Sequence, residues 1–217
     1  MRKVEFKQEI NYDKPGVYTF LSTLNFRKFY ESNNSAEISI IPDGITMISL
    51  LFIKYRRVFK KNNFDLSGLA PIVISTKKNN IYFFGGDKNE IKTFKNYMFK
   101  LFKSINEKNS FFYNGFDELE KINTIKFQKN DIIILSIGCP LQERIGANIF
   151  LKNNFIRVFT SGAFISQTAK SNNTGVYYPK LIEKLNLRFI YRALKEKGHY
   201  KRLVSAFIDF IYIIRRI

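Results

Sequence analysis

The chain has 217 residues with 36 Lys and Arg against 18 Asp and Glu, a formal charge of +18, and its length suits one well-filled core plus an appendage better than two full domains. A single cysteine, Cys139, excludes an internal disulfide, and together with a single histidine, His199, it argues against a cysteine-rich zinc site or a histidine-based metal site or triad. No metal and no cofactor is therefore expected, and the chemistry falls to carboxylates, hydroxyls and amides.

In chain order, the opening MRKVEFKQEINYDKPG is charged throughout and lacks the apolar core of an export signal, so a cytoplasmic protein is expected. An apolar stretch at Val17 to Leu21 is followed by a short helix after Asn25, a strand at Ile38 to Ile41 and an amphipathic helix from Ile45 to about Phe59. Pro71 to Ser75 reads equally as strand or helix. Ile81 to Phe84 is a strand ending in Gly85-Gly86, with a helix near Asn89 to Phe102, a strand at Phe111 to Tyr113 and a helix near Asp117 to Ile122. Ile132 to Leu135 has no apolar and polar alternation, which is the habit of a strand covered on both faces. It runs through Gly138 into a helix reaching about Leu151, with Pro140 suited to the first helical position and Gln142 able to return a hydrogen bond to the cap. A strand at Phe155 to Thr160 and a turn at Gly162 close the series. The alternation predicts a doubly wound, mostly parallel, Rossmann-like α/β sheet over residues 1–174.

SNNTG at 171–175 reads as a joint, beyond which residues 175–217 carry +7 of the charge, more than twice the density of the rest. Lys180, Lys184, Arg188 and Arg192 recur every four residues along a helical pattern, and Phe207, Phe210, Ile211 and Ile214 form an apolar helical face closed by Arg215-Arg216. The segment is too short to span a bilayer. A basic amphipathic C-terminal appendage of this kind fits an anionic membrane surface or a helix packed on the domain. The charge alone would also suit nucleic acid, but no nucleic-acid motif accompanies it and none is expected as a partner. A homo-oligomer is left open.

Four strand ends carry polar or glycine-rich turns: Thr23-Leu24-Asn25, Pro42-Asp43-Gly44, Gly85-Gly86-Asp87 and Gly138 to Glu143. In a doubly wound sheet the carboxyl ends of strands form the ligand crevice, so the turns are expected to converge. Each alone has a plain structural use: Asn25 as a cap, Pro42-Asp43-Gly44 as a turn, Glu143 at the positive end of its helix. In this order, with TLN at 23–25, PDG at 42–44, FFGG at 83–86, GCPLQE at 138–143, SGAF at 161–164 and LNLRFIYR at 185–192, the chain resembles the WecG/TagA/CpsF glycosyltransferase family from about residue 15 to its end.

That resemblance implies a metal-independent, inverting transfer of an N-acetylhexosamine, such as N-acetylmannosamine, from a UDP-sugar to a polyprenyl-diphosphate-linked GlcNAc in surface polysaccharide synthesis. It implies Asp43 as catalytic base, with Thr23 beside it. Asn25, Gly85, Gly86, Gly138, Gln142, Glu143 and Gly162 would form the substrate site, and Arg192 or Arg202 would meet the lipid diphosphate on the inner face of the cell membrane. Three positions depart from the family pattern. Asp65-Leu66-Ser67-Gly68-Leu69-Ala70 replaces R-V-x-G-x-D, and Ile165 replaces the aspartate of G-G-A-F-D. The alternative these departures suggest is an inert family member acting as partner of another glycosyltransferase.

Overall fold

Four consecutive side chains with no exposed surface, Ile132 to Leu135, make the central strand β5, Ile132–Ser136, of a computed structural model. The structure describes residues 6–7, 10–32, 38–60, 62–75, 80–171, 177–179, 181–182, 187, 191 and 209–215. Among these, β5 joins β1 Gly16–Leu21, β2 Ile38–Pro42, β3 Ile81–Gly85, β4 Ser110–Tyr113 and β6 Arg157–Thr160 in one sheet, ordered β2-β1-β6-β5-β3-β4. Every pairing is parallel, so all carboxyl ends lie along one edge.

Two apolar layers cover the sheet. One holds Phe26 and Phe29 of α1 (Thr23–Glu31), Met47, Leu50 and Leu51 of α2 (Ile45–Tyr55) and Ala147 and Ile149 of α5 (Leu141–Lys152). The other holds Val73 and Ile74 of α3 (Ala70–Ile74), Ile91, Phe94 and Met98 of α4 (Lys88–Leu101) and Phe164 and Ile165 of α6 (Phe164–Ala169). The helix after β5 and the helix after β3 thus leave adjacent strands for opposite faces, as do those after β1 and β6. Such switch points open a crevice at the carboxyl edge.

Most elements lie where the sequence puts them, with local differences. α1 starts at Thr23, with Ser22 rather than Asn25 at the N-cap position and Thr23, Phe26 and Phe29 sharing its buried stripe. α2 stops at Tyr55 instead of continuing to Phe59: Arg56 takes a left-handed conformation (φ 54°) and the turned chain tucks Phe59 into the core. Pro71 to Ser75 resolves as the helix α3, and the expected helix near Asp117 shortens to a 3-10 turn, Leu119–Asn123. Pro140 stands at the cap of α5, one position before the first helical residue, after a cis peptide bond.

The 174/175 boundary falls outside the described residues, as do the basic positions Lys180, Lys184, Arg188, Arg192 and Arg202. Residues 209–215 are helical and pack on α1: Ile213 is fully buried in its layer, and the Tyr212 ring meets Tyr30 edge-on at 5.9 Å with Arg27 5.7 Å from its centroid. No helix among the described residues is long and apolar enough to cross a membrane.

Candidate active site

Register fixes where the turns stand. Leu21 pairs with Pro42, and the Asp43 amide donates to Leu21 O at 3.0 Å, so the end of edge strand β2 is tied to that of β1. Asp43 is half-buried there. Thr23 Oγ1 and Thr46 Oγ1 lie 3.2 Å apart, joining the first turns of α1 and α2 on either side of the carboxylate's turn. Cys139 Sγ donates to Asn25 O at 3.7 Å and brings the β5–α5 turn against α1. Burial, and then the nearby Glu143 carboxylate, push the Cys139 thiol far up from its ordinary value. It therefore stays protonated and serves as a small half-buried residue, not a nucleophile.

Gln142 is the clasp of the central turns. Its Oε1 accepts from Gly138 N at 3.3 Å and Gly162 N at 3.2 Å, and its Nε2 donates to Glu143 Oε1 at 2.9 Å. Glu143 Oε1 also accepts from Thr19 Oγ1 at 2.9 Å, which shares a 2.6 Å contact with Thr160 Oγ1. Gln142 and Glu143 are 2% and 1% exposed, so in this conformation they hold the turns from below instead of offering atoms to a ligand in the crevice. Glu143 Oε2 is buried with no hydrogen-bond partner among the described residues. The Glu143 bond to Thr19, 124 residues away in the chain, leaves no local sequence signal.

The β6 turn is tied to β5 again by Ser136 Oγ, which donates to Gly162 O at 3.0 Å and accepts from Ile165 N at 3.1 Å. Gly85 runs so close to β5 that a Cβ would stand 2.4 Å from Ser136 O; only glycine allows that approach. Gly138, by contrast, has φ 89° and open space where a Cβ would be, which leaves room above the turn. Asp87 caps α4 by accepting from Asn89 N and Glu90 N, both at 2.8 Å, and Glu90 Oε2 accepts from Asp87 N at 3.1 Å. Glu90 then reaches α6, accepting from Ser166 Oγ at 2.7 Å and pairing with Lys170 at 2.9 Å. Burial would raise the Glu90 pKa; Lys170, Ser166 and the Asp87 amide outweigh it and hold the carboxyl below its usual range.

All the turns singled out in the sequence thus stand along one edge. Asp43, Thr23 and Asn25 lie at one end, Gly162 and Gly138 at the centre, and Gly85 and Gly86 beyond them. Asp43 and Gly138 are separated by three strand spacings, about 14 Å. The three departing positions have clear places. Asp65 Oδ1 accepts from Ser67 N at 3.0 Å and Ser67 Oγ at 2.7 Å, shaping its own turn. Beside it Phe64 packs among Phe20, Phe159 and Phe164, with centroids 5.4 to 5.5 Å apart, which holds the turn over the ends of β1 and β6. Ala70 and Ile165 are wholly buried. No group of three or more His, Cys, Asp or Glu side chains converges on a potential metal position among the described residues.

This arrangement coincides with a match to the family described as Glycosyl transferase WecG/TagA/CpsF over residues 14–217. The chain belongs to the WecG/TagA/CpsF glycosyltransferase family. A curated relative from Shigella boydii, named UDP-Gal:alpha-D-GlcNAc-diphosphoundecaprenol beta-1,4-galactosyltransferase, is 31% identical over 214 residues, covering 93% of this chain and 85% of that protein. As a family member the protein is a glycosyltransferase, and the family match runs through both the α/β sheet and the C-terminal residues 209–215.

Proposed function

We propose that this protein transfers a hexose from a UDP-sugar, with UDP-galactose as donor, to a GlcNAc-diphospho-polyprenol acceptor, with inversion and without a bound metal. The observation that carries the reading is the placement of Asp43 beside the Thr23–Thr46 contact at one end of the carboxyl edge, with the glycine turns of β6 and β5 two and three strand spacings along it, about 10 and 14 Å. That separation lets the nucleotide end of a donor rest on the central turns while its sugar reaches Asp43. The Shigella relative's stated donor and acceptor support the substrate pair. Galactose is favoured over N-acetylmannosamine because it is the donor named for the Shigella relative and because this chain departs from the family pattern at Asp65, Ala70 and Ile165.

In the reaction, Asp43 takes the proton of the acceptor hydroxyl while that oxygen attacks the anomeric carbon. The bond from that carbon to the diphosphate breaks, and its electron pair leaves with UDP. The amino end of α5 directs its positive pole at the developing charge, and Gln142, bonded to both glycine turns, keeps the cradle in register. Thr23 and Asn25 position the sugar. Arg192 and Arg202 are assigned to the acceptor's diphosphate on the strength of the resemblance.

The test offers GlcNAc-diphospho-polyprenol with UDP-galactose, UDP-N-acetylmannosamine, UDP-glucose or UDP-N-acetylglucosamine, with and without EDTA. A β-linked disaccharide lipid formed from UDP-galactose, undiminished by EDTA, is expected. Product only from an N-acetylhexosamine donor would overturn the sugar assignment. No product from any donor, together with no calorimetric UDP signal, would favour the inert-partner reading.

A further inference from the structure

α2 is apolar nearly all round. Met47, Leu50 and Leu51 fill the core, yet the opposite side still carries Ile45, Phe52 and Ile53, 45%, 46% and 58% exposed, and Val58 just beyond is 77% exposed. A helix with that pattern is ordinarily covered or in lipid. Ile48, Ser49, Phe52, Ile53 and Val58 line an open depression of about 350 Å³. Lys54, Arg56, Arg57 and Lys60, at the C-terminal end of α2 and just beyond it, are all exposed. The helix at 209–215, anchored in the same layer by Ile213, likewise exposes Phe210, Ile211 and Ile214 next to Arg215.

We propose that α2 is the docking surface of this protein for an anionic bilayer: its outer face lies in the membrane plane with Phe52, Ile53 and Val58 among the acyl chains and the Lys/Arg cluster at the head groups. Eleven residues are too few to span, so the helix lies on the surface. The charge selects the occupant. A second copy of a chain with formal charge +18 would bring the same basic cluster against itself, whereas anionic lipid complements it. The arrangement also deepens the proposed function, on whose lipid-linked acceptor it rests. α2 begins two residues after Asp43, so docking along it brings the carboxylate's edge of the sheet to the membrane without an extended acceptor.

The experiment measures co-sedimentation of the full chain with phosphatidylglycerol/phosphatidylcholine vesicles and with phosphatidylcholine alone. It compares the wild type, the triple variant Phe52→Gln, Ile53→Gln, Val58→Gln, and the variant Arg56→Gln, Arg57→Gln, Lys60→Gln. Transfer to a short-chain, water-soluble acceptor is assayed in parallel. Each variant should lose about tenfold or more of its partitioning into anionic vesicles, while turnover of the soluble acceptor is kept. Added salt should release the wild type more readily than the charge variant. Unchanged partitioning of the apolar variant would overturn the proposal, and so would a wild-type dimer that the apolar variant converts to monomer while vesicle binding persists. Partitioning is read without turnover, so absence of transfer from every donor would sink the proposed function and leave the docking result standing.

Discussion

Gln142 and Glu143 show how a residue can serve a site without facing it. Gln142→Ala would remove the acceptor of two part-buried glycine amides and one of the two hydrogen bonds to Glu143 Oε1, a loss of about 1–3 kcal/mol in all. A fall in thermal midpoint together with weaker UDP binding is therefore expected, read by calorimetry; weaker binding at unchanged stability would instead mean that the amide touches the nucleotide directly. Gly85→Ala meets Ser136 O at 2.4 Å and should destabilise by about 2 kcal/mol or more in a denaturant titration. Glu90 gives a pH signature. Its folded pKa lies below the unfolded value, so its contribution is present above the usual carboxylate range and lost as pH falls through the folded pKa. The variant Glu90→Gln should lower stability near neutrality by about 1–2 kcal/mol and flatten its decline in acid, measured by urea unfolding across pH.

At the scale of elements, what could be read from the sequence was whatever leaves a local pattern. Ile132 to Leu135 announced a strand buried on both sides, and Gly85, Gly138 and Gly162 marked the ends of strands that do line up on one edge. The helix expected near Asn89 to Phe102 forms at Lys88–Leu101, and the structure adds the Asp87–Glu90 capping pair that starts it. What escaped needed contacts between distant segments. The end of α2 was overrun because Arg56, not a glycine or asparagine, takes the left-handed position, so Val58 and Phe59 still looked like the next turn of helix. Gln142 and Glu143 read as available to a ligand because their partners sit on other strands: Gly162, 20 residues on, bonds Gln142, and Thr19, 124 residues back, bonds Glu143. The apolar face near the C-terminus is equally ambiguous in the sequence: of its members Phe210, Ile211 and Ile214 remain outside, Phe207 lies outside the described residues, and the neighbouring Ile213, not on that face, packs on α1. Ile213→Ala should cost about 2–4 kcal/mol by emptying a filled core position, whereas Ile214→Ala should change the unfolding midpoint little.

For the whole molecule, charge, topology and exposed apolar surface point one way. The parallel sheet gathers Asp43, Thr23 and the glycine turns on a single edge, and α2 leaves that edge carrying both an apolar face and a basic cluster. A transferase working on a lipid-linked sugar needs its base near the bilayer and its nucleotide turns supplied from the aqueous side, and under the proposals above a doubly wound sheet laid along α2 would provide both. The central claim is that Asp43 is the base. Its most direct measurement is turnover of GlcNAc-diphospho-polyprenol by Asp43→Asn, alongside UDP affinity and thermal midpoint. The account predicts a turnover lower by about 10²–10⁴-fold with UDP affinity and midpoint close to wild type; an Asp43→Asn protein that turns over at the wild-type rate would contradict it.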